Sequence, residues 1–286
     1  MALNPLKLRI AQVLENTGLS ASLLAAQARL FRGRLRAVNY HDVPPSQADA
    51  FAEQLRFFRD RFDSVGLEEL DQLMEGSWAH DRPGLLISFD DGLRSHADVV
   101  APLLREYGFK GWFMVPPGFV DEPTDRQADY AAAHAIHAAA EYADARIAMS
   151  WRDICGLDAA GHVIGCHTMN HTRLSARLEQ AALEVEIVEA KKRLEQELGH
   201  DADVFAWVGG EEWSYSPSAA RTIRAAGFRY SFMTNNALFG SGDNPLHIQR
   251  TNLEAHYPPA LVKFQLSGLL DLYYAPKRRR VNRITA

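Results

Sequence analysis

Short apolar runs closed by turn residues alternate with amphipathic helical stretches along most of the chain. Leu35 to Tyr40 reads as a first strand, and Ser46 suits the N-cap of the helix that follows. In that helix Phe51, Leu55, Phe58 and Phe62 recur at spacings of four, three and four and so form one apolar stripe. A short strand near Ser64 and Val65, a helix over Leu67 to Met74, and a strand from Leu85 to Phe89 set between Pro83-Gly84 and an acidic pair continue the pattern. Val99, Leu103 and Leu104 mark another helix, which Gly108 can close before the strand Gly111 to Val115. Trp151 to Leu157 and Val163 to Cys166 repeat the unit. The clearest helix is predicted from about Leu178 to Leu198, with Leu183, Ile187, Ala190, Leu194 and Leu198 on one face and Gly199 as its stop. Phe205 to Val208, Pro217 to Ala226 with Gly227 as cap, and Tyr230 to Thr234 supply further strand and helix units.

Repeated strand–helix alternation predicts a mostly parallel sheet, and about seven such units suffice to curl it into a barrel. No Pro-, Gly- or Ser-rich linker interrupts the alternation, and a chain of 286 residues that is 47% hydrophobic can bury one full core. The expected organisation is an N-terminal helical extension (1–34), one α/β domain (35–275) and a basic tail (276–286) in which Lys277-Arg278-Arg279-Arg280 reads as a solvated end. The Ala-rich segment Asp121 to Met149 reads as an insertion, a helical flap over the barrel mouth. Its His134 and His137, at i and i+3, face either a substrate or solvent.

A net charge of −5 argues against a general nucleic-acid binder. Two cysteines make no disulfide framework, and Cys166 reads as a small buried strand residue. Lys7, Arg9, Glu15 and Asn16 break up any signal-peptide core, so a cytoplasmic protein is the expectation. Leu23, Leu24, Leu30 and Phe31 stand beside Arg29, Arg32, Arg34 and Arg36. This basic amphipathic stretch suits peripheral contact with an anionic membrane, while its plainer reading is a helix packed on the domain.

The candidate chemistry sits where predicted strands end. Asp90 and Asp91 close one strand, in or beside a turn that Gly92 permits, and that edge is where α/β active sites gather. His167 and His171 follow another, and a spacing of four puts both imidazoles on one face if the backbone there makes a helical turn. One Asp and two His would leave a divalent ion an open position for water, the arrangement of a catalytic site. The second carboxylate could act as a base beside it. Residue types alone do not say which Asp does which. Asn39-Tyr40-His41-Asp42 ends the first strand and reaches the same rim.

Ile87-Ser88-Phe89-Asp90-Asp91-Gly92, Ile164-Gly165-Cys166-His167-Thr168-Met169-Asn170-His171 and Phe205-Ala206-Trp207-Val208-Gly209-Gly210 together resemble the NodB-homology polysaccharide deacetylases, carbohydrate esterase family four. The helix Glu184 to Leu198, Ala226-Gly227-Phe228 and Leu266-Ser267-Gly268-Leu269 extend the resemblance over roughly Leu35 to Tyr274. It implies a distorted (β/α)7 barrel that removes an N-acyl group, acetyl first, from an amino-sugar glycan or lipid-linked saccharide. It also implies Asp91, His167 and His171 as metal ligands and Asp90 as the base. That donor set suits zinc, cobalt, nickel or iron, with zinc the first expectation.

The general acid stays open between two histidines. Most members supply it from a late Leu-x-His motif, and Leu246-His247 lies in roughly that region but in a different pattern, with Arg250 ending the strand. Tyr40-His41-Asp42 resembles instead the Tyr-His motif of relatives with a circularly permuted barrel. This makes His41 the preferred acid, with Asp42 as the group that would orient it. The third motif departs from the family's Arg-x-Pro-Tyr-Gly. The Arg that would tune the catalytic Asp is absent, so Trp207, the Gly209 N–H, Glu211 and Arg250 stand as the expected substrate or oxyanion contacts. Trp213 and Tyr215 suit sugar stacking or core anchoring equally. Hydrolysis of another non-peptide C–N bond in a small molecule, an activity of some related folds, is the rival enzyme reading, and the third-motif departures leave room for a barrel that binds carbohydrate without turnover.

Overall fold

The computed structural model describes residues 5–31, 33–142 and 145–286. Two helices, α1 (Pro5–Asn16) and α2 (Leu19–Leu30), lead into β1 (Arg34–Tyr40). Next come α3 (Ala48–Arg59), β2 (Asp63–Ser64), α4 (Leu67–Met74) and β3 (Gly84–Phe89). They are followed by α5 (Ala101–Tyr107), β4 (Gly111–Val115), α6 (Pro117–Asp121), α7 (Gln127–Ala133), α8 (Trp151–Ala159) and β5 (Val163–Cys166). Then come α9 (Gln180–Leu183), α10 (Ala190–Leu198), β6 (Val204–Ala206), α11 (Pro217–Ala225) and β7 (Tyr230–Met233). The chain ends through β8 (Leu238–Gly240), β9 (Ile248–Asn252), α12 (Pro259–Leu266) and α13 (Leu269–Ile284).

Strands β3, β4, β5, β6, β7, β9 and β1 are neighbours in that order, and β1 also pairs with β3, which closes a barrel of 7 parallel strands. Two short strands fill gaps at its N-terminal end. β2 pairs with Gly84 and Leu85, before β4 takes over at Ile87, and β8 runs antiparallel to Arg34–Arg36, before β9 takes over at Ala37.

Side-chain alternation sorts the core into two layers. Leu85, Ile87, Phe89, Phe113 and Val115 face outward against Phe51, Leu55, Phe58 and Leu104 of the helices. Ala37, Leu86, Trp112, Met114, Val204, Phe232 and Ile248 cluster together on the other face, where α4 adds Leu70 and Leu73. One step further along the same inner parity the residues turn polar: Asn39, Ser88, Asp90 and Arg250 are all buried. The site is therefore the top layer of the barrel interior, standing on a dry apolar one.

Several expectations change. Residues Pro45–Gln47 form a separate 3-10 turn, so Ser46 caps nothing, and Phe62 lies past the end of α3 although it is still buried. The long helix is α9 and α10 joined by a wide π-type turn over Glu184–Glu189, ending at Gly199 with φ 77°. The basic run is only in part a solvated end, with Arg279 and Arg280 exposed. It belongs to α13, where Arg278 donates to the Asn235 and Asn236 carbonyls, Lys277 donates to the Gly210 carbonyl, and Arg280 pairs with Glu212. α1 packs on α12 through Ala11, Leu261 and Phe264, while Arg32 of the basic stretch lies outside the described residues. Among the described residues no helix is long and apolar enough to cross a membrane.

Candidate active site

The β3 ladder continues one residue past the strand, with the Asp90 N–H on the Tyr40 carbonyl at 2.9 Å. Asp91 and Gly92 then take left-handed conformations, φ 77° and 64°, which Gly adopts freely and a short Asp tolerates. This sharp turn separates the two carboxylates. Asp90 points to the barrel interior, accepting from Arg250 Nη1 at 2.6 Å, Arg250 Nη2 at 2.8 Å and Asn39 Nδ2 at 2.9 Å. Asp91 turns to the histidines, with Oδ1 at 3.1 Å from His171 Nε2 and 3.6 Å from His167 Nε2.

The histidine pair does not sit on a helical turn. The His167 N–H extends the β4–β5 ladder to the Val115 carbonyl, after which Thr168 and His171 take positive φ of 60° and 54°. Glu186, in the π-type turn, holds this loop. Its carboxylate accepts from the Asn170 N–H and Nδ2 at 2.9 Å each, and its carbonyl accepts from the Met169 N–H at 3.0 Å. Tyr130 Oη donates to Asn170 Oδ1 at 3.0 Å, tying the insertion to the same loop. Replacing Glu186 with Ala is expected to leave the barrel folded but lower metal affinity roughly 10–100-fold, the usual effect of losing a ligand's support. Metal titration of the variant checks this.

Both rings are oriented from behind. His167 Nδ1 meets the Ala206 carbonyl at 2.9 Å and His171 Nδ1 meets the His134 carbonyl at 2.7 Å. A carbonyl needs the proton on Nδ1, which leaves both Nε2 lone pairs facing Asp91. One ligand atom from each of Asp91, His167 and His171 lies within 4.8 Å of the others, and Asp91 Oδ1 is buried with no hydrogen-bond donor. A buried carboxylate oxygen left unmatched beside two converging imidazole lone pairs fits a divalent cation.

Electrostatics agree with this division at Asp90, Asp91 and His167, whereas at His171 a bound ion would have to displace a proton. Burial would raise the Asp90 carboxyl, but the Arg250 charge, His167, the Arg250 hydrogen bonds and His41 hold it below its usual range. Burial likewise opposes ionisation of Asp91, yet His171, His41 and His167 keep it depressed. Burial lowers the His167 imidazole to about 4, so it is neutral and able to donate a lone pair. For His171 burial works downward, but the contact with Asp91 outweighs it and raises the pKa.

The remaining expected residues divide. His41 follows β1 on the same rim, and its charge acts on both Asp90 and Asp91; the buried His96 ring holds its carbonyl, Nε2 to O at 2.8 Å. Asp42 does not orient His41. It accepts from Ser95 Oγ at 2.6 Å and from the Ala139 N–H at 2.6 Å, latching the insertion down. His247 lies in the turn before β9, at the opposite end of the barrel, against Thr285. Trp207, expected at the substrate, is a core residue whose Nε1 donates to Ser231 Oγ at 2.9 Å. Arg250, expected at the substrate or oxyanion, is fully buried on Asp90, Asn39 and Ser88. Gly209 is at the rim with φ 80°, and a side chain there would meet Glu211 at 2.7 Å. Glu211 in turn pairs with Arg173 at 3.4 Å. Tyr215 is buried and Trp213 is 60% exposed. His134 stacks on Tyr130 with ring centroids 4.1 Å apart, and His137 is exposed. The support from Glu186 and the Arg250–Asp90 pair went unread in the sequence. The buried polar parity of β9 was the one available signal for the second.

Comparison with known proteins identifies the class. The polysaccharide deacetylase family matches residues 79–231. The fold resembles IcaB from Ammonifex degensii, with 22% identity, a TM-score of 0.65, and coverage of 83% of this chain and 97% of that one. It also resembles the Streptococcus pyogenes deacetylase PplD in complex with acetate, with 16% identity, a TM-score of 0.64, and coverage of 80% and 96%. A de-N-acetylase from Aggregatibacter actinomycetemcomitans matches at 14% identity and a TM-score of 0.62, covering 81% and 99%. At these identities the likeness is one of fold, and none of the comparisons shows a permuted strand order. No curated protein matches. The chain belongs to the polysaccharide deacetylase family. Its class of reaction is accordingly hydrolytic deacetylation of a carbohydrate, in a family that is generally metal-dependent. His41 and Arg250 both lie outside the matched residues.

Proposed function

We propose that this protein is a divalent-metal-dependent hydrolase that removes an N-acyl group, acetyl first, from an amino-sugar-containing glycan or lipid-linked saccharide. The observation that carries the reading is the buried Asp91 Oδ1 without a donor, facing two imidazoles whose other nitrogens are already committed. Asp91, His167 and His171 would hold the ion, zinc first, with cobalt, nickel or iron accepted by the same donors. When bound, such an ion supplies Lewis acidity toward the acyl oxygen and acidifies water.

Asp90 takes the proton from the attacking water. Its depressed pKa keeps it charged at neutral pH, and Arg250 and Asn39 fix its orientation. His41 gives the proton to the leaving amine, since expelling an unprotonated amide nitrogen is prohibitive. The Gly209 N–H is the candidate donor to the developing oxyanion, a task needing no side chain. The missing third-motif Arg does not argue for a barrel without turnover, because Arg250 reaches Asp90 from β9 instead.

Metal analysis of the purified protein together with acetate release from N-acetylated oligosaccharides tests the reading. Stoichiometric metal with release is expected, and metal without release from any acylated sugar would refute it. His41→Ala should lower kcat by about 10²–10⁴-fold, the worth of a general acid, while His247→Ala stays near wild type. The reverse result would remove His41 from the mechanism.

A further inference from the structure

At the N-terminal end of the barrel, opposite the rim that carries the histidines, a cavity of about 290 Å³ lies between α2 and the starts of β1 and β8. Its α2 wall is mostly apolar, through Leu24 and Ala28 with Gln27 as its polar side chain, and Phe31 just past the helix continues it. Its other wall is cationic, through Arg34 and Arg36 of β1 and Arg61 past the end of α3, and among the described residues no Asp or Glu lines it. The volume is at the small end for ligand pockets, which run about 300–1,000 Å³.

The three arginines are unequally matched. Arg34 shares Asp243 at 3.3 Å, with both side chains 43% exposed. Arg36 is 1% exposed. Its two terminal nitrogens hold Asp271 at 2.7 and 2.8 Å, so its charge is already matched. Arg61 lies over the Phe57 ring at 4.4 Å and reaches the Phe57 carbonyl at 3.4 Å, with no acidic partner among the described residues. A cation without a counter-charge beside an apolar wall is complementary to an anion that carries hydrocarbon.

We infer that this cavity binds an amphipathic anion, a carboxylate or phosphate with a hydrocarbon chain, its head on Arg61 and its chain along α2. The site is separate from the metal centre. Arg36 stands four residues before the end of β1, about 13 Å at the usual 3.3 Å rise, and the cavity extends further from the rim. It does not depend on the deacetylase reading.

Calorimetry of the full-length protein with dodecyl phosphate, inorganic phosphate and dodecanol tests it. Dodecyl phosphate should bind at least tenfold more tightly than either control. Arg61→Glu, which reverses the unmatched charge, and Ala28→Phe, which fills the apolar wall, should each weaken it tenfold or more while the circular dichroism spectrum is unchanged. Equal binding of inorganic phosphate, no binding of dodecyl phosphate, or indifference to both variants overturns the site. Co-sedimentation with phosphatidylglycerol vesicles, lost in Arg61→Glu, would assign the anion to a membrane headgroup. Binding of dodecyl phosphate without co-sedimentation would assign it to a free amphiphile.

Discussion

Replacing His167 with Ala is expected to remove metal and turnover together. Its Nε2 is one of three converging donor atoms, and its Nδ1 is committed to the Ala206 carbonyl, so the ring has no alternative pose in which a neighbour takes over. Loss of a direct ligand should exceed the roughly 10–100-fold expected for the supporting Glu186. With Asp91 and His171 alone, stoichiometric metal should not survive gel filtration in metal-free buffer. The ring is 2% exposed, so part of any loss could come from packing, and His167→Gln, which keeps most of the volume, controls for that. Both variants should keep the wild-type circular dichroism spectrum while metal content and acetate release fall in step. Wild-type metal content in His167→Ala would mean that the ion is held elsewhere.

The sequence carried the parts of the fold that period and punctuation report. β4 and β5 fall on the residues expected, and α4 spans Leu67–Met74 as the apolar spacing predicted, because each is a run bounded by Gly, Pro or an acidic turn. The acidic pair and the two histidines end β3 and β5 because strands in a parallel barrel release their chemistry at one rim. What spacing could not report is backbone conformation between elements. A gap of four between His167 and His171 suits a helical turn, yet the rings converge through positive φ at Thr168 and His171, paid for by Glu186 from a different helix. Long-range pairs were equally hidden. Asp42 and His41 are adjacent in the chain, but Asp42 serves Ser95 and Ala139, and it is His96, 55 residues away, that holds the His41 carbonyl. The guanidinium on Asp90 comes from β9, with only β1 between it and β3 in the barrel but 160 residues away in the chain, a separation that no local pattern spans.

That pairing shapes the prediction for Asp90. Asp90→Asn should lower kcat by about 10²–10⁴-fold, the worth of a general base, with metal content near wild type, because both Asp90 oxygens are engaged by Arg250 and Asn39 although Oδ2 lies 3.8 Å from His167 Nε2. Loss of metal would exchange the roles of Asp90 and Asp91. Stability must be separated from chemistry, since Asn also leaves the fully buried Arg250 without its counter-charge, a change costing about 3–5 kcal/mol. The double variant Asp90→Asn/Arg250→Met removes both charges. It should recover much of the lost melting temperature and none of the turnover. Arg250→Met alone gives the complementary reading through pH. In the wild type the folded Asp90 pKa lies below its unfolded value, so the pair's stabilisation is present above about pH 3.9 and is lost as pH falls through the folded value. Without the guanidinium, burial is opposed only by His167, His41 and the Asn39 hydrogen bond, and the carboxyl moves upward. The acid limb of kcat/KM should then move to higher pH, with activity retained on the alkaline side of it. If Arg250→Met kept the wild-type acid limb, Asp90 would not be the group whose ionisation limits the reaction, and the base would have to be sought among the other carboxylates of the rim.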